Sequence, residues 1–182
     1  MKKIDTPLND LYVIEPKVFE DQRGYFFEGF NLNAFKALDL PEYSWVQENE
    51  SKSTKGVLRG LHFQMDDAAQ AKLIRVIQGE VFDVVVDMRK NSSTFSKWYG
   101  TYLNENNKRQ MLIPRGFAHG FLVTSEVAIF SYKCDNFYDP AMDSGVMYND
   151  PEIGVEWPDL GMELNISAKD QVQKSFKDSY KF

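Results

Sequence analysis

The segment Val81-Phe82-Asp83-Val84-Val85-Val86-Asp87-Met88 alternates its side chains between two faces. Phe82, Val84, Val86 and Met88 make one face wholly apolar. Val81, Asp83, Val85 and Asp87 make the other, which carries two carboxylates. Period-two alternation of this kind is what a sandwiched or closed antiparallel sheet requires. Working outward, further short β-like runs cover residues 57–63, 71–78, 97–103, 109–113, 120–123 and 128–135, and the quoted run itself extends to residue 89. Turn signals separate them: Gln78-Gly79, Asn91-Ser92-Ser93, Asn104 to Asn107 and Pro114-Arg115-Gly116. Upstream, residues 11–19 predict a strand, 20–24 a turn and 25–30 a second, aromatic strand. Asn31 predicts the cap of a short helix over 32–39, with Phe35 and Leu38 inward and Pro41 ending it. Residues 150–182 are polar with aromatic anchors and predict short helices packed outside. The expected fold is mainly β, a jelly-roll barrel or sandwich with a few short peripheral helices. No repeat or linker interrupts residues 1–182, so a single domain is expected.

Composition removes several function classes. Of 182 residues, 43% are hydrophobic and 14% aromatic, too many for a disordered chain. One cysteine cannot form an internal disulfide. Two histidines and one cysteine cannot fill a four-ligand structural zinc site or a three-histidine metal site. Histidine chemistry must therefore run through His62 or His119. The net charge of −6 gives no support for a basic nucleic-acid stripe. There is no apolar run of about 18 residues and no apolar signal core near Met1, so no membrane partner is expected. These features predict a soluble, cytoplasmic protein.

Five clusters could carry chemistry. In Leu58-Arg59-Gly60-Leu61-His62-Phe63-Gln64, strict alternation puts Arg59, Leu61 and Phe63 on one face and Leu58, Gly60 and His62 on the other. A histidine beside glycine leaves room for a ligand; the plainer alternative is a core histidine with one hydrogen bond. Pro114-Arg115-Gly116-Phe117-Ala118-His119 has the P-x-G-x-x-H spacing of cupin barrels. The companion H-x-H motif is absent, which points to a cupin working by organic acid–base chemistry. Lys72 shares a strand face with Ile74 and Val76; it is either a snorkelling surface residue or a cation placed for an anion. Tyr132 and Tyr138 are either core or pocket phenols. Ser167-Ala168-Lys169-Asp170 is either a capping serine with a solvated charge pair or part of a site.

Together these residues resemble one family, the dTDP-4-dehydrorhamnose 3,5-epimerases, which are metal-free cupins acting on nucleotide sugars. The similar segments include Phe19 to Glu28, Gln47 to Ser51, Gly56 to Gln64, Ala71-Lys72-Leu73, Gly79 to Asp87, Asn91 to Phe95, and Ile113 to Phe121. They continue through Tyr132-Lys133, Tyr138-Asp139-Pro140, Asn149-Asp150-Pro151, Trp157-Pro158 and Lys169-Asp170. The ordered combination spans residues 10–171.

The resemblance implies epimerisation at C3 and C5 of dTDP-4-keto-6-deoxy-D-glucose, with no cofactor and no metal. By the same resemblance His62 is the base, Asp170 its hydrogen-bonding partner, Tyr132 the acid on the opposite face, and Lys72 the cation for the enolate oxygen. His119 is assigned to sugar or carbonyl hydrogen bonding, with Asp83 as its orienting partner. Arg23 and Arg59 suit the diphosphate. Phe26 and Tyr138 offer aromatic surface. Glu28, Gln47, Glu48, Asn49 and Lys169 match ligand-contact positions. Asp143 stands where the family usually has glutamate, and Tyr148 where tryptophan is common. The family's N-terminal strands cross between subunits, which implies a homodimer in which Arg23, Phe26 and Glu28 serve the partner's site. Two other readings stay open: an epimerase of one carbon or of another nucleotide-linked 4-keto sugar, and a non-catalytic sugar-binding cupin.

Overall fold

A computed structural model describes residues 1–182. The chain runs through β1 (Lys2–Asp5), β2 (Tyr12–Glu15), β3 (Phe19–Asp21), β4 (Gly24–Phe26), α1 (Leu32–Lys36), β5 (Gln47–Thr54) and β6 (Val57–Gln64). It continues through β7 (Lys72–Gln78), β8 (Glu80–Asp87), β9 (Trp98–Asn104), β10 (Gln110–Ile113), β11 (Phe117–Val123) and β12 (Val127–Cys134). The last strands are β13 (Asp143–Gly145) and β14 (Asn165–Ile166). One sheet has the order β1-β2-β10-β7-β12-β5. The other has the order β13-β6-β11-β8-β9, with β14 added on β6. Strands distant in sequence lie side by side, as in β10–β7 and β11–β6, and the two sheets face each other as a cupin-type jelly roll. No helix is long and apolar enough to cross a membrane.

The core follows from the alternation in β8. Val81 and Val85 point between the sheets and pack with Ile74, Met111, Phe121 and Phe130. Val84, Val86 and Met88 point the other way, into a second cluster with Leu61, Phe63, Val146 and Phe176. That outer face is apolar, and leaving each large side chain in water costs about 1.5–3 kcal/mol. Residues 146–182 cover it, which is why this polar tail carries aromatic anchors. A third cluster, including Phe35, Leu73 and Leu112, seats α1 on the first sheet.

Several boundaries differ from the sequence expectation, each for a local reason. The expected strand 11–19 is split into β2 and β3, because Pro16 supplies no N–H to a ladder. The expected turn 20–24 narrows, since Glu20 and Asp21 belong to β3 and Gly24 to β4. The second aromatic strand ends at Phe26 rather than residue 30. The helix has the expected Asn31 cap, accepting from the Ala34 N–H, but stops at Lys36. In β11 the strand begins at Phe117, directly after the Gly116 turn, not at Gly120. The expected C-terminal helices reduce to one 3₁₀ turn, Asp170–Val172. β1, β5, β13 and β14 lie outside the expected strands. β5 reads Gln-Glu-Asn-Glu-Ser-Lys-Ser-Thr and has no apolar face at all.

Candidate functional site

A cavity of about 490 Å³ opens between the sheets, and both histidines line it. Its first wall is β6, and a β-bulge shapes it. On β11, His119 and Phe121 are two residues apart; their partners on β6, His62 and Arg59, are three apart. The extra β6 residue shifts the alternation by one. Arg59 and His62 therefore both reach the cavity, correcting the expectation that they lie on opposite faces. Gly60 makes this possible: its φ is +122°, and a Cβ there would sit 2.5 Å from the Gly120 Cα.

The bulge also leaves the Gly60 N–H free to point at the C-terminal 3₁₀ turn. It donates to Asp170 Oδ2 at 3.4 Å, while His62 Nε2 lies 2.6 Å from Asp170 Oδ1. The Asp170 side chain is 4% exposed. Burial alone pushes its carboxyl up. Hydrogen bonds from His62, the Gly60 N–H and Ser167 outweigh that and hold it below the ordinary value. An ionised Asp170 accepts the Nε2–H, so the imidazole lone pair sits on Nδ1.

The second wall belongs to the other sheet. Lys72 opens β7 and Tyr132 lies on β12, and both line the cavity. The Lys72 ammonium is 6.0 Å from the Tyr132 ring centroid. Burial pushes the Lys72 amine down, opposed by Cys134, Asp143 and Asp83. Those two carboxylates are engaged elsewhere, with Lys169 and His119, so Lys72 has no ion-pair partner. Burial likewise pushes the Tyr132 phenol up, keeping its proton on.

His119 forms the inner end. Its Nε2 lies 3.0 Å from both oxygens of the fully buried Asp83, and its ring stacks 6.0 Å from Phe130. Burial pushes the Asp83 carboxyl up. The two carboxylates of β8 thus have different fates. Asp83 orients a cavity histidine, whereas Asp87 is tied to Arg89, Ser92 and Thr94 in a structural knot.

The rim connects with a neighbouring hollow lined by Gln47, Asn49, Tyr138, Asp143 and Lys169. Tyr138 Oη donates to Asp143 Oδ2 at 3.0 Å, and Lys169 Nζ donates to the same carboxylate. Asp143, despite its short side chain, gathers the rim. Gln47 accepts from the Tyr138 N–H at 3.0 Å and donates to Asn49 at 3.1 Å.

Four of the residues singled out in the sequence do not join this cluster. Glu48 lies on the outer face of β5, 2.7 Å from Lys133. Arg23 and Phe26 stand on the exposed β3–β4 hairpin, lining a separate hollow. Glu28 follows it, accepting from Asn31 at 2.8 Å. Conversely, Ser51 and Asn165 line the cavity beside Ser167 of the fifth cluster, and the buried Ser53 holds Arg59. The signal for β5 was present: its inward residues are Gln47, Asn49, Ser51 and Ser53. A cavity wall needs polar atoms where a core strand needs apolar ones, so hydrophobic periodicity passed over it.

The family model described as dTDP-4-dehydrorhamnose 3,5-epimerase matches residues 5–178. The dTDP-4-dehydrorhamnose 3,5-epimerase of Salmonella typhimurium is 51% identical over 167 residues, covering 92% of this chain and 91% of that protein. The crystal structure of the Elizabethkingia anophelis dTDP-4-dehydrorhamnose 3,5-epimerase superposes with a TM-score of 0.92 at 50% identity, covering 98% of this chain and 97% of that one. A dTDP-6-deoxy-D-glucose-3,5-epimerase from Legionella pneumophila, solved in complex with dTDP-4-keto-L-rhamnose, superposes with a TM-score of 0.93 at 45% identity. It covers 97% of this chain and 93% of that one.

Proposed function

Because this chain belongs to the dTDP-4-dehydrorhamnose 3,5-epimerase family, we propose that it inverts C3 and C5 of dTDP-4-keto-6-deoxy-D-glucose to give dTDP-4-keto-L-rhamnose. Both carbons flank the C4 carbonyl, which acidifies their protons. Removing one gives an enolate, and returning a proton to the other face inverts the centre. The chemistry needs a base, an acid opposite it and a cation for the enolate oxygen. The observation that carries this reading is the split of those groups between the two walls of one cavity. His62 stands on one sheet; Lys72 and Tyr132 stand on the other.

In this reading His62 Nδ1 takes the proton, and Asp170 stabilises the imidazolium that forms. The unpaired Lys72 ammonium receives the enolate oxygen, a preorganised electrostatic contribution that is often the largest in such reactions. Tyr132, kept protonated by burial, returns the proton from the far side. His119, fixed by Asp83, hydrogen-bonds the sugar. Base, acid and cation are all side chains, and no electron changes hands. The reaction as written is complete with side chains alone, so no cofactor or metal is invoked.

The nucleotide would lie along the rim. Arg59 takes the diphosphate; Gln47, Asn49, Tyr138, Asp143 and Lys169 contact the remainder. We assign Arg23, Phe26 and Glu28 to the site of a partner subunit in a homodimer. Their support is exposure: the Arg23 side chain is 85% exposed and Phe26 is 66% exposed on the projecting hairpin. Residues 1–182 act as one domain, placed in the cytoplasm where its free Cys134 stays reduced. Glu48, turned outward, is left without a ligand role.

The test is incubation with dTDP-4-keto-6-deoxy-D-glucose in deuterated water, followed by NMR. Deuterium at both C3 and C5 is expected. Label at one carbon only makes the chain a mono-epimerase, and no label at all overturns the enzyme reading.

A further inference from the structure

Arg23, Arg89, Arg109 and Arg115 each pair with an aspartate or glutamate. Arg59 is different. Its Nε and Nη2 both donate to the hydroxyl oxygen of Ser53, at 3.2 and 3.1 Å. Ser53 is 7% exposed, near the end of β5, while Arg59 faces the cavity mouth. The turn at Lys55-Gly56, where the chain passes from β5 in one sheet to β6 in the other, brings the two together.

We propose that Ser53 is a positioning residue, holding the Arg59 guanidinium at the cavity mouth without neutralising it, so that the full charge meets the diphosphate of the nucleotide. This rests on the assignment of Arg59 to the diphosphate. A carboxylate at position 53 would hold the guanidinium more tightly, but it would compete with phosphate for the same charge. A hydroxyl oxygen fixes the geometry and leaves the charge whole. Two of the five guanidinium N–H groups are used on Ser53, which leaves three for phosphate oxygens. An arginine fixed beforehand loses less rotamer freedom when the ligand arrives.

The experiment is calorimetric titration of dTDP into the wild type and the variants Ser53→Ala, Ser53→Thr, Ser53→Asp and Arg59→Ala, with steady-state kinetics on the dTDP-sugar and a thermal melt of each. Ser53→Ala is expected to weaken dTDP binding about five- to tenfold, by loss of a hydrogen bond to a charged group. KM should rise with kcat within twofold. Ser53→Thr keeps the hydroxyl and should restore affinity. Ser53→Asp should bind more weakly than Ser53→Ala, because it neutralises Arg59. A merely structural serine would lower the melting temperature and kcat without this ordering. Wild-type affinity in Ser53→Ala, with affinity lost in Arg59→Ala, overturns the proposal and leaves the diphosphate assignment standing. Undiminished affinity in Arg59→Ala overturns that assignment and this proposal with it. Tighter binding by Ser53→Asp than by Ser53→Ala overturns the charge argument.

Discussion

Replacing Asp170 with asparagine tests the His62 pair with almost no change of shape. The contact is 2.6 Å, with side chains 4% and 31% exposed for Asp170 and His62. A hydrogen bond to a charged partner at such a site contributes about 2–3 kcal/mol. With His62 as the proposed base, it acts mainly once the imidazole carries the abstracted proton, so its loss raises the barrier rather than weakening substrate binding. That corresponds to a rate about 30- to 150-fold lower. The asparagine amide can also donate to Nε2, which moves the ring proton to Nδ1 and removes the basic lone pair from the cavity; this pushes the loss toward the upper end. The assay is the initial rate of deuterium entry at C3 and C5, with dTDP affinity as the control expected to stay unchanged. A rate within threefold of wild type would refute the role given to Asp170. Acid stability supplies a second reading. The Asp170 carboxyl is held below its ordinary value in the folded protein. Its contribution to stability is therefore complete above the unfolded value, near pH 4, and is lost as pH falls through the lower folded value. Urea midpoints should fall less steeply below pH 4 in Asp170→Asn than in wild type.

Three further outcomes are expected. Tyr132→Phe should still exchange deuterium while inversion falls about 10²–10⁴-fold, read by NMR of recovered substrate and product; unchanged inversion removes Tyr132 as the acid. Lys72→Met keeps the length and apolar stem but should lower kcat about 10²–10³-fold, with dTDP affinity retained in calorimetry; a kcat near wild type would mean the enolate charge is met elsewhere. Gly60→Ala places a methyl group against the Gly120 backbone at a positive φ, so it should cost about 2–4 kcal/mol and lower the melting temperature by several degrees. A melt indistinguishable from wild type would show that the bulge does not need glycine.

Much of the site was legible because proton chemistry uses few residue types and this chain has little to choose from. With two histidines, any histidine chemistry had to run through His62 or His119, and the structure gives each a buried carboxylate partner. Alternation in β8 correctly sorted Val81 and Val85 from Val84, Val86 and Met88. It did not separate Asp83 from Asp87, which share a face and end in different environments. Neither β1 nor β5 was legible, since apolar periodicity records burial in a core. Strands with partly exposed or polar inward faces leave no such trace.

By itself the sequence determined a mainly β chain, its two histidines, and the chemical types gathered in Arg59-Gly60-Leu61-His62, Lys72, Tyr132 and Lys169-Asp170. Only the tertiary structure decided which of them meet. Asp170 reaches His62 from 108 positions away, along a tail held down by the outer apolar face of β8. Arg59 and His62 share the cavity because one extra residue in β6 reverses the alternation. Side-chain direction in a strand has a period of two, so a single inserted residue, invisible to pattern, moves a charge from one face of the sheet to the other.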